Sequence, residues 1–200
     1  MSDFIYLASQ SPRRRQLLEQ LGVRYELLLA GPDEDAEALE AEVAGELPAD
    51  YVQRVTRAKL QAARQRLKTR GLPSAPILCS DTTVALGRRI LGKPANAADA
   101  RRILSLLSGK THRVLTAIAV FDGRRAALRL NTSWVHFTAV AAREIDAYVD
   151  SGEPFGKAGA YAIQSAAAAW IDRIEGSYSA IMGLPLYETA LLLRQARVKF

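Results

Sequence analysis

Phe4-Ile5-Tyr6-Leu7-Ala8-Ser9-Gln10-Ser11-Pro12-Arg13-Arg14, with Leu17, Leu18 and Leu21 at helical spacing before Gly22, reads as strand, loop, helix and stop. A short apolar run gives way to hydroxyls. Ser11 suits an N-cap, Pro12 the first helical position, and Gly22 the left-handed residue that closes a helix. The alternation continues outward. Tyr25 to Leu29 has strand character, and Asp50 is placed to cap a helix running to about Thr69. On that helix Val52, Val55, Lys59 and Ala63 share one side, with Arg66 close to the same line. Ile77 to Leu86 reads as one buried strand with a polar centre, Ser80-Asp81-Thr82-Thr83. Asn96 caps a helix carrying Ile103, Leu104 and Leu107, and the turn signal Asp122-Gly123 joins strands at Thr111 to Phe121 and Arg125 to Phe137. Ile145, Tyr148 and Val149 mark another helix, Ala166 to Ile174 has strand material, and Pro185 opens a last helix. Strand-helix units around an antiparallel hairpin predict an α/β fold: a single domain over residues 1–200, built on a long mixed β-sheet flanked by helices, with two lobes around a cleft.

The 200 residues are 49% apolar and 24% charged, enough to bury a core without staples and unlike disorder, coiled coil or collagen. One cysteine, Cys79, cannot form an intrachain disulfide, and Met1-Ser2-Asp3-Phe4 lacks the basic and apolar regions of a signal peptide. No apolar stretch reaches the roughly 20 residues a membrane helix needs. The expectation is a soluble, cytoplasmic protein without a membrane partner. Its net charge of +6 is unevenly spread: residues 31 to 50 hold eight acids and no base, leaving 27 bases against 13 acids, or +14, on the remainder. Such an excess attracts polyanions, while arginine as a plain solvated residue accounts equally well for most single positions.

Chemistry concentrates where local patterning fails. Ser9 to Arg14 puts two hydroxyls and two guanidiniums at a helix N-terminus, which draws anions through its unpaired amides and dipole. Arginines there oppose the dipole until a phosphate bridges them. Lys59 in an apolar stripe, Asp81 in an apolar strand and Lys93 between Gly92 and Pro94 are three further charges out of pattern. A structural ion pair explains some of this. Several bases converging with one or two carboxylates also fit a polyphosphate with a divalent cation, Glu34 being a candidate for the second carboxylate. Other signatures fail. Asp81-Thr82-Thr83 lacks the second aspartate of an aspartyl-phosphate nucleophile, and Gly109-Lys110-Thr111 follows a helix and lacks the leading glycine of a Walker loop. His112 and His136 are too far apart for a local metal pair, and Cys79 reads as a small buried hydrophobe.

These residues are where the chain resembles the Maf family of nucleoside triphosphate pyrophosphatases, over essentially its full length. The resemblance rests on Leu7 to Arg14, Arg57-Ala58-Lys59, Ser80-Asp81-Thr82, Leu91-Gly92-Lys93-Pro94, Leu107 to His112, Lys157 to Gln164, and Gly176-Ser177-Tyr178 with Gly183-Leu184-Pro185-Leu186. Lys157 to Gln164 and the Arg-Arg after Ser-Pro resemble the branch acting on dTTP and UTP. Gln10, Ser80 and Ala162 depart from the family's commoner residues without removing a charge. The resemblance implies an ITPase-like fold and metal-dependent hydrolysis, with Mg²⁺ or Mn²⁺, of the α-β phosphoanhydride to nucleoside monophosphate and pyrophosphate. It makes Asp81 the general base and a metal ligand, and Glu34 a metal or water ligand. Ser9, Arg13, Arg14, Lys59 and Lys93 would cradle the triphosphate. Thr82 and Gln164 would read the base, with Arg13 bearing on selectivity. An amide such as Gln164 can donate to a pyrimidine carbonyl and accept from its N3–H. The family also implies a homodimer, for which the residues carry no signature. The competing class is a non-catalytic nucleotide- or nucleic-acid-binding regulator of septum formation. Basic charge without interleaved aromatics gives no expectation of stable nucleic-acid binding.

Overall fold

The computed structural model describes residues 2–35 and 37–200. In chain order it contains β1 (Ile5–Leu7), α1 (Pro12–Gln20), β2 (Tyr25–Leu27), a 3₁₀ turn at Ala38–Glu40, α2 (Pro48–Thr69), β3 (Ile77–Leu86), β4 (Arg89–Leu91) and α3 (Ala97–Leu107). There follow β5 (Thr111–Phe121), β6 (Ala126–Phe137), α4 (Ala142–Asp150), 3₁₀ turns at Ala158–Ala160 and Ala166–Trp170, β7 (Ile171–Glu175), α5 (Tyr178–Met182) and α6 (Leu186–Gln195).

The strands make one mixed sheet in the order β2-β1-β3-β5-β6-β7, with β4 paired to β3 off this path. β1 is parallel to β2 and β3, and the other pairings are antiparallel. The expected mixed sheet flanked by helices is therefore present. Alternation sorts the side chains of β3 between two cores. Ile77 and Cys79 pack with Tyr6, Leu60 and Ala63 under α2, while Leu78 and Val84 join the larger core with Leu18 of α1, Ile103 of α3, Ile145 of α4 and Leu192 of α6. By the same parity Asp81 faces α2 and Thr82 faces the opposite side.

One break in pairing positions the site. β1 pairs with β3 only as far as Leu78, and β4 begins pairing only at Val84. Among the described residues no strand covers that edge of β3 from Cys79 to Thr83, so side chains from both of its faces reach the same opening. The segment after α4 closes over it. Gly159, at φ +70°, lies where an added Cβ would be 2.8 Å from Val84, and its N–H donates to the Gly92 carbonyl at 3.1 Å.

Several sequence expectations need correction. α2 begins at Pro48, with Leu47 at the N-cap; Asp50 lies in its first turn, where its charge complements the helix dipole. Ser11 occupies the N-cap of α1, but its hydroxyl makes no capping bond; Ser9 Oγ accepts the Ser11 N–H instead, at 3.2 Å. β2 stops at Leu27 because Arg66 and Arg70 of α2 take the Leu28 and Leu29 carbonyls, at 2.8 and 2.9 Å. Arg125 belongs to the turn, its N–H held by Asp122 Oδ1 at 2.8 Å. Ala166 to Ile174 divides: the alanines coil into a 3₁₀ turn anchored by buried Trp170, and only Ile171 onward joins the sheet. The short α5 has no counterpart in the sequence reading; Ser177 caps it, and Gly183, at φ +118°, ends it.

Candidate active site

A cavity of about 910 Å³ opens at the uncovered edge of β3. One wall comes from residues 28–31, from Glu34, Leu39, Glu40 and Glu42, and from α2, the other from the β1–α1 loop, the 156–164 segment and residues 181–183. Ser9, Arg13, Arg14, Glu34, Lys59, Asp81, Thr82, Lys93 and Gln164, the nine residues singled out in the sequence, all line it.

Asp81 lines it and is 7% exposed. Its Oδ1 accepts from Lys59 Nζ at 2.5 Å, and no second hydrogen bond to this carboxylate occurs among the described residues. The Lys59 ammonium also donates to Glu40 Oε1 at 2.7 Å, and Lys93 Nζ donates to Glu40 Oε2 at 2.7 Å. Burial would raise the Glu40 carboxyl, yet Lys59 and Lys93 together hold it below the ordinary carboxylate range. Tyr51 donates to the Glu40 carbonyl at 2.8 Å, anchoring this turn against α2. The lysine in the apolar stripe of α2 is thus the bridge between two carboxylates.

Glu34 lies on the same wall but in a different pairing. Arg66, itself buried, grips it through Nε at 2.9 Å and Nη2 at 2.6 Å, and Arg70 approaches to 3.7 Å. The Arg66 hydrogen bonds, aided by the Gly31 N–H, pull the Glu34 carboxyl down to about 2. Glu34 thus lines the cavity beside Arg66, while the carboxylate that shares a lysine with Asp81 is Glu40.

The opposite wall is cationic. Arg14 Nε donates to the Gly183 carbonyl at 2.8 Å and Nη1 to Ser9 Oγ at 3.1 Å, while Nη2 makes a long 3.4 Å contact with Thr82 Oγ1. Thr82 Oγ1 also lies 3.1 Å from Thr116 Oγ1, which donates to the Ala180 carbonyl. Arg13, Arg14 and Lys157 have no ion-pair partner among the described residues, whereas Lys59, Arg66 and Lys93 do. Burial lowers the pKa of both guanidiniums and of the Lys157 ammonium, so each charge is held at a cost. Three half-buried cations on one wall of the cavity, none in a salt bridge among the described residues, make that wall receptive to a polyanion. Behind this wall, Tyr161 OH lies 2.7 Å from His112 Nε2, a buried pair that fixes the segment leading to Gln164. Gln164 is exposed at the rim.

A family model described as Maf-like protein matches residues 4–196. The chain belongs to the Maf family. A Polaromonas sp. protein named dTTP/UTP pyrophosphatase is 65% identical, covering 99% of this chain and 98% of that protein. Proteins of the same name from Cupriavidus pinatubonensis and Burkholderia pseudomallei are 64% and 62% identical, covering 100% and 98% of this chain and 100% and 95% of theirs. The solved Staphylococcus aureus Ham1 protein aligns with a TM-score of 0.42 and 15% identity, over 66% of this chain and 71% of its own.

Within this Maf chain, sequence reasoning missed Glu40, Tyr51 and Lys157 as lining residues. Nothing separates Glu40 from the seven other acids of its run. Lys157 did carry a signal, since it sits between Gly156 and Gly159 much as Lys93 sits between Gly92 and Pro94. Cys79 is fully buried, its thiol pushed up to about 12 by burial, in keeping with a packing role. His112 is buried and His136 pairs with Asp172 at 2.5 Å on the surface. No helix among the described residues is long and apolar enough to cross a membrane.

Proposed function

We propose that this cavity binds a pyrimidine nucleoside triphosphate, UTP or dTTP, and hydrolyses its α-β phosphoanhydride to nucleoside monophosphate and pyrophosphate. The observation that carries the reading is a carboxylate with one oxygen held by Lys59, in a cavity whose other wall presents three cations without acidic partners. The names of relatives 60–65% identical supply the substrate class.

The chemistry follows from these groups. Arg13 and Arg14 neutralise phosphate oxygens, and the N-terminus of α1 points its amides into the same region. Lys59 and Lys93 exchange Glu40 for phosphate and take up the charge growing on the departing pyrophosphate. The oxygen of Asp81 not held by Lys59 accepts a proton from water as that water attacks the α-phosphorus. The bond from α-phosphorus to the bridging oxygen breaks, and its electron pair leaves on pyrophosphate. Gln164 reads the pyrimidine edge together with Thr82, whose hydroxyl contacts Arg14 and Thr116.

A divalent ion, Mg²⁺ or Mn²⁺, fits the donor set in a restricted way. Asp81 and Glu40 are hard oxygen donors brought to one ammonium, but no group of three His, Cys, Asp or Glu suited to a metal occurs among the described residues. Its remaining ligands would be phosphate oxygens and water. Bound there, it would polarise the phosphates and help orient the attacking water. Glu40→Gln is expected to raise the Mg²⁺ concentration for half-maximal turnover by about tenfold or more, and Glu34→Gln by less. The opposite ranking returns the second carboxylate to Glu34.

The test of the reading is a panel of nucleoside triphosphates assayed for pyrophosphate release. UTP and dTTP are expected to lead, and Gln164→Ala to flatten the ranking more than it lowers the overall rate. An unchanged ranking contradicts base reading by Gln164. Salt-sensitive DNA retention without turnover of any nucleotide supports the binding regulator instead. The partners proposed with this function are the nucleotide and a second copy of the chain, in the cytoplasm, rather than a membrane or stable nucleic acid.

A further inference from the structure

Among the described residues, Lys157 is the one cation of the cavity that neither an ion pair nor the assigned phosphate cradle accounts for. It follows Gly156 and precedes the turn at Ala158–Ala160. Gly159 locks that turn: it is at φ +70°, against Val84, and bonded to the Gly92 carbonyl. The lysine is therefore held by backbone packing on β3, next to the Asp81-Thr82 edge, and not by a charge of its own. Its ammonium donates to the Glu153 carbonyl, four residues back, and makes no salt bridge among the described residues. Burial first and then the proximity of Arg13 work against its charge, and the nearby Glu153 carboxylate offsets them only in part. Two like charges lining one partly buried cavity are unfavourable unless an anion bridges them.

We propose that Lys157 is a substrate-contacting residue, completing with Arg13 and Arg14 a three-cation cradle for the polyphosphate chain. This rests on the reading of the cavity as a triphosphate site. It gives the 157–164 segment two functions at once, a phosphate contact at its start and base reading at Gln164. The fixed turn at Gly159 sets the spacing between them.

The experiment compares the full-length protein with Lys157→Gln, Lys157→Arg and Arg124→Gln, the last removing an equal charge from the exposed β5–β6 turn. Binding of inorganic tripolyphosphate is measured by calorimetry and UTP turnover by steady-state kinetics, with melting temperatures to establish folding. Lys157→Gln is expected to weaken tripolyphosphate binding about tenfold or more and to raise KM for UTP by a similar factor, with kcat changed less. Lys157→Arg should keep binding within about threefold, and Arg124→Gln should match the parent. Binding by a folded Lys157→Gln within about twofold of the parent overturns the assignment. An equal loss in Arg124→Gln overturns it too, by assigning the effect to net charge. If the parent binds tripolyphosphate and hydrolyses UTP while Lys157→Gln is unaffected, only Lys157 is misassigned. A parent that does neither removes the triphosphate reading and the proposal together.

Discussion

Asp81→Asn is expected to lower kcat for UTP by about 10²- to 10⁴-fold, the range over which a positioned general base contributes, while nucleotide binding persists. The two parts of this expectation have separate origins. The amide keeps the size of the side chain and an oxygen for Lys59, so the 2.5 Å contact that spaces α2 from β3 has a surviving counterpart. What disappears is the basic oxygen not held by Lys59, the atom that receives water's proton. Removing a negative charge from a cavity that takes a polyanion strengthens the direct attraction, so UTP affinity measured without a divalent ion should hold or rise. Single-turnover kinetics with a binding isotherm separates the two. Full turnover in this variant would remove Asp81 as the base, and loss of binding would make it part of the nucleotide cradle.

Lys59→Gln is the second large effect, a fall in kcat/KM of about 10²- to 10³-fold. Truncating one partner of a desolvated, hydrogen-bonded charge pair costs roughly 2–5 kcal/mol, and Lys59 serves two carboxylates at once. Its side chain is 19% exposed, against 43% for Lys93, so water replaces it poorly. Without the ammonium, Asp81 and Glu40 face each other and the incoming triphosphate with one fewer cation between them. The loss should appear in both KM and kcat, because the same ammonium screens the ground state and takes charge from the leaving group. A change confined to KM would make Lys59 a binding residue only.

The sequence was most legible where a residue broke its local pattern. Lys59 in the stripe of α2 and Asp81 in β3 are each improbable alone, and the fold explains both by setting them 2.5 Å apart. The β5–β6 hairpin was equally readable, since a turn signal between two long strand-like runs has few other solutions. Less legible were features set by tertiary contacts. β2 ends where two arginines of α2, 38 and 41 residues away in sequence, claim the next carbonyls. The choice of Glu40 over Glu34 depends on which acid of an irregular loop comes to lie beside Lys59 and which beside Arg66. Local composition is blind to that choice, because the run is uniformly acidic. Ala166 to Trp170 shows another limit: four alanines permit either geometry, and the burial of Trp170 decides.

The central claim is that water, activated at Asp81, attacks the α-phosphorus of a pyrimidine triphosphate seated in this cavity. Hydrolysis of UTP in ¹⁸O-labelled water, with products separated and weighed by mass spectrometry, tests it in one measurement. The expected result is UMP carrying one labelled oxygen and unlabelled pyrophosphate. Label in pyrophosphate, or UDP and phosphate as the products, would contradict the account.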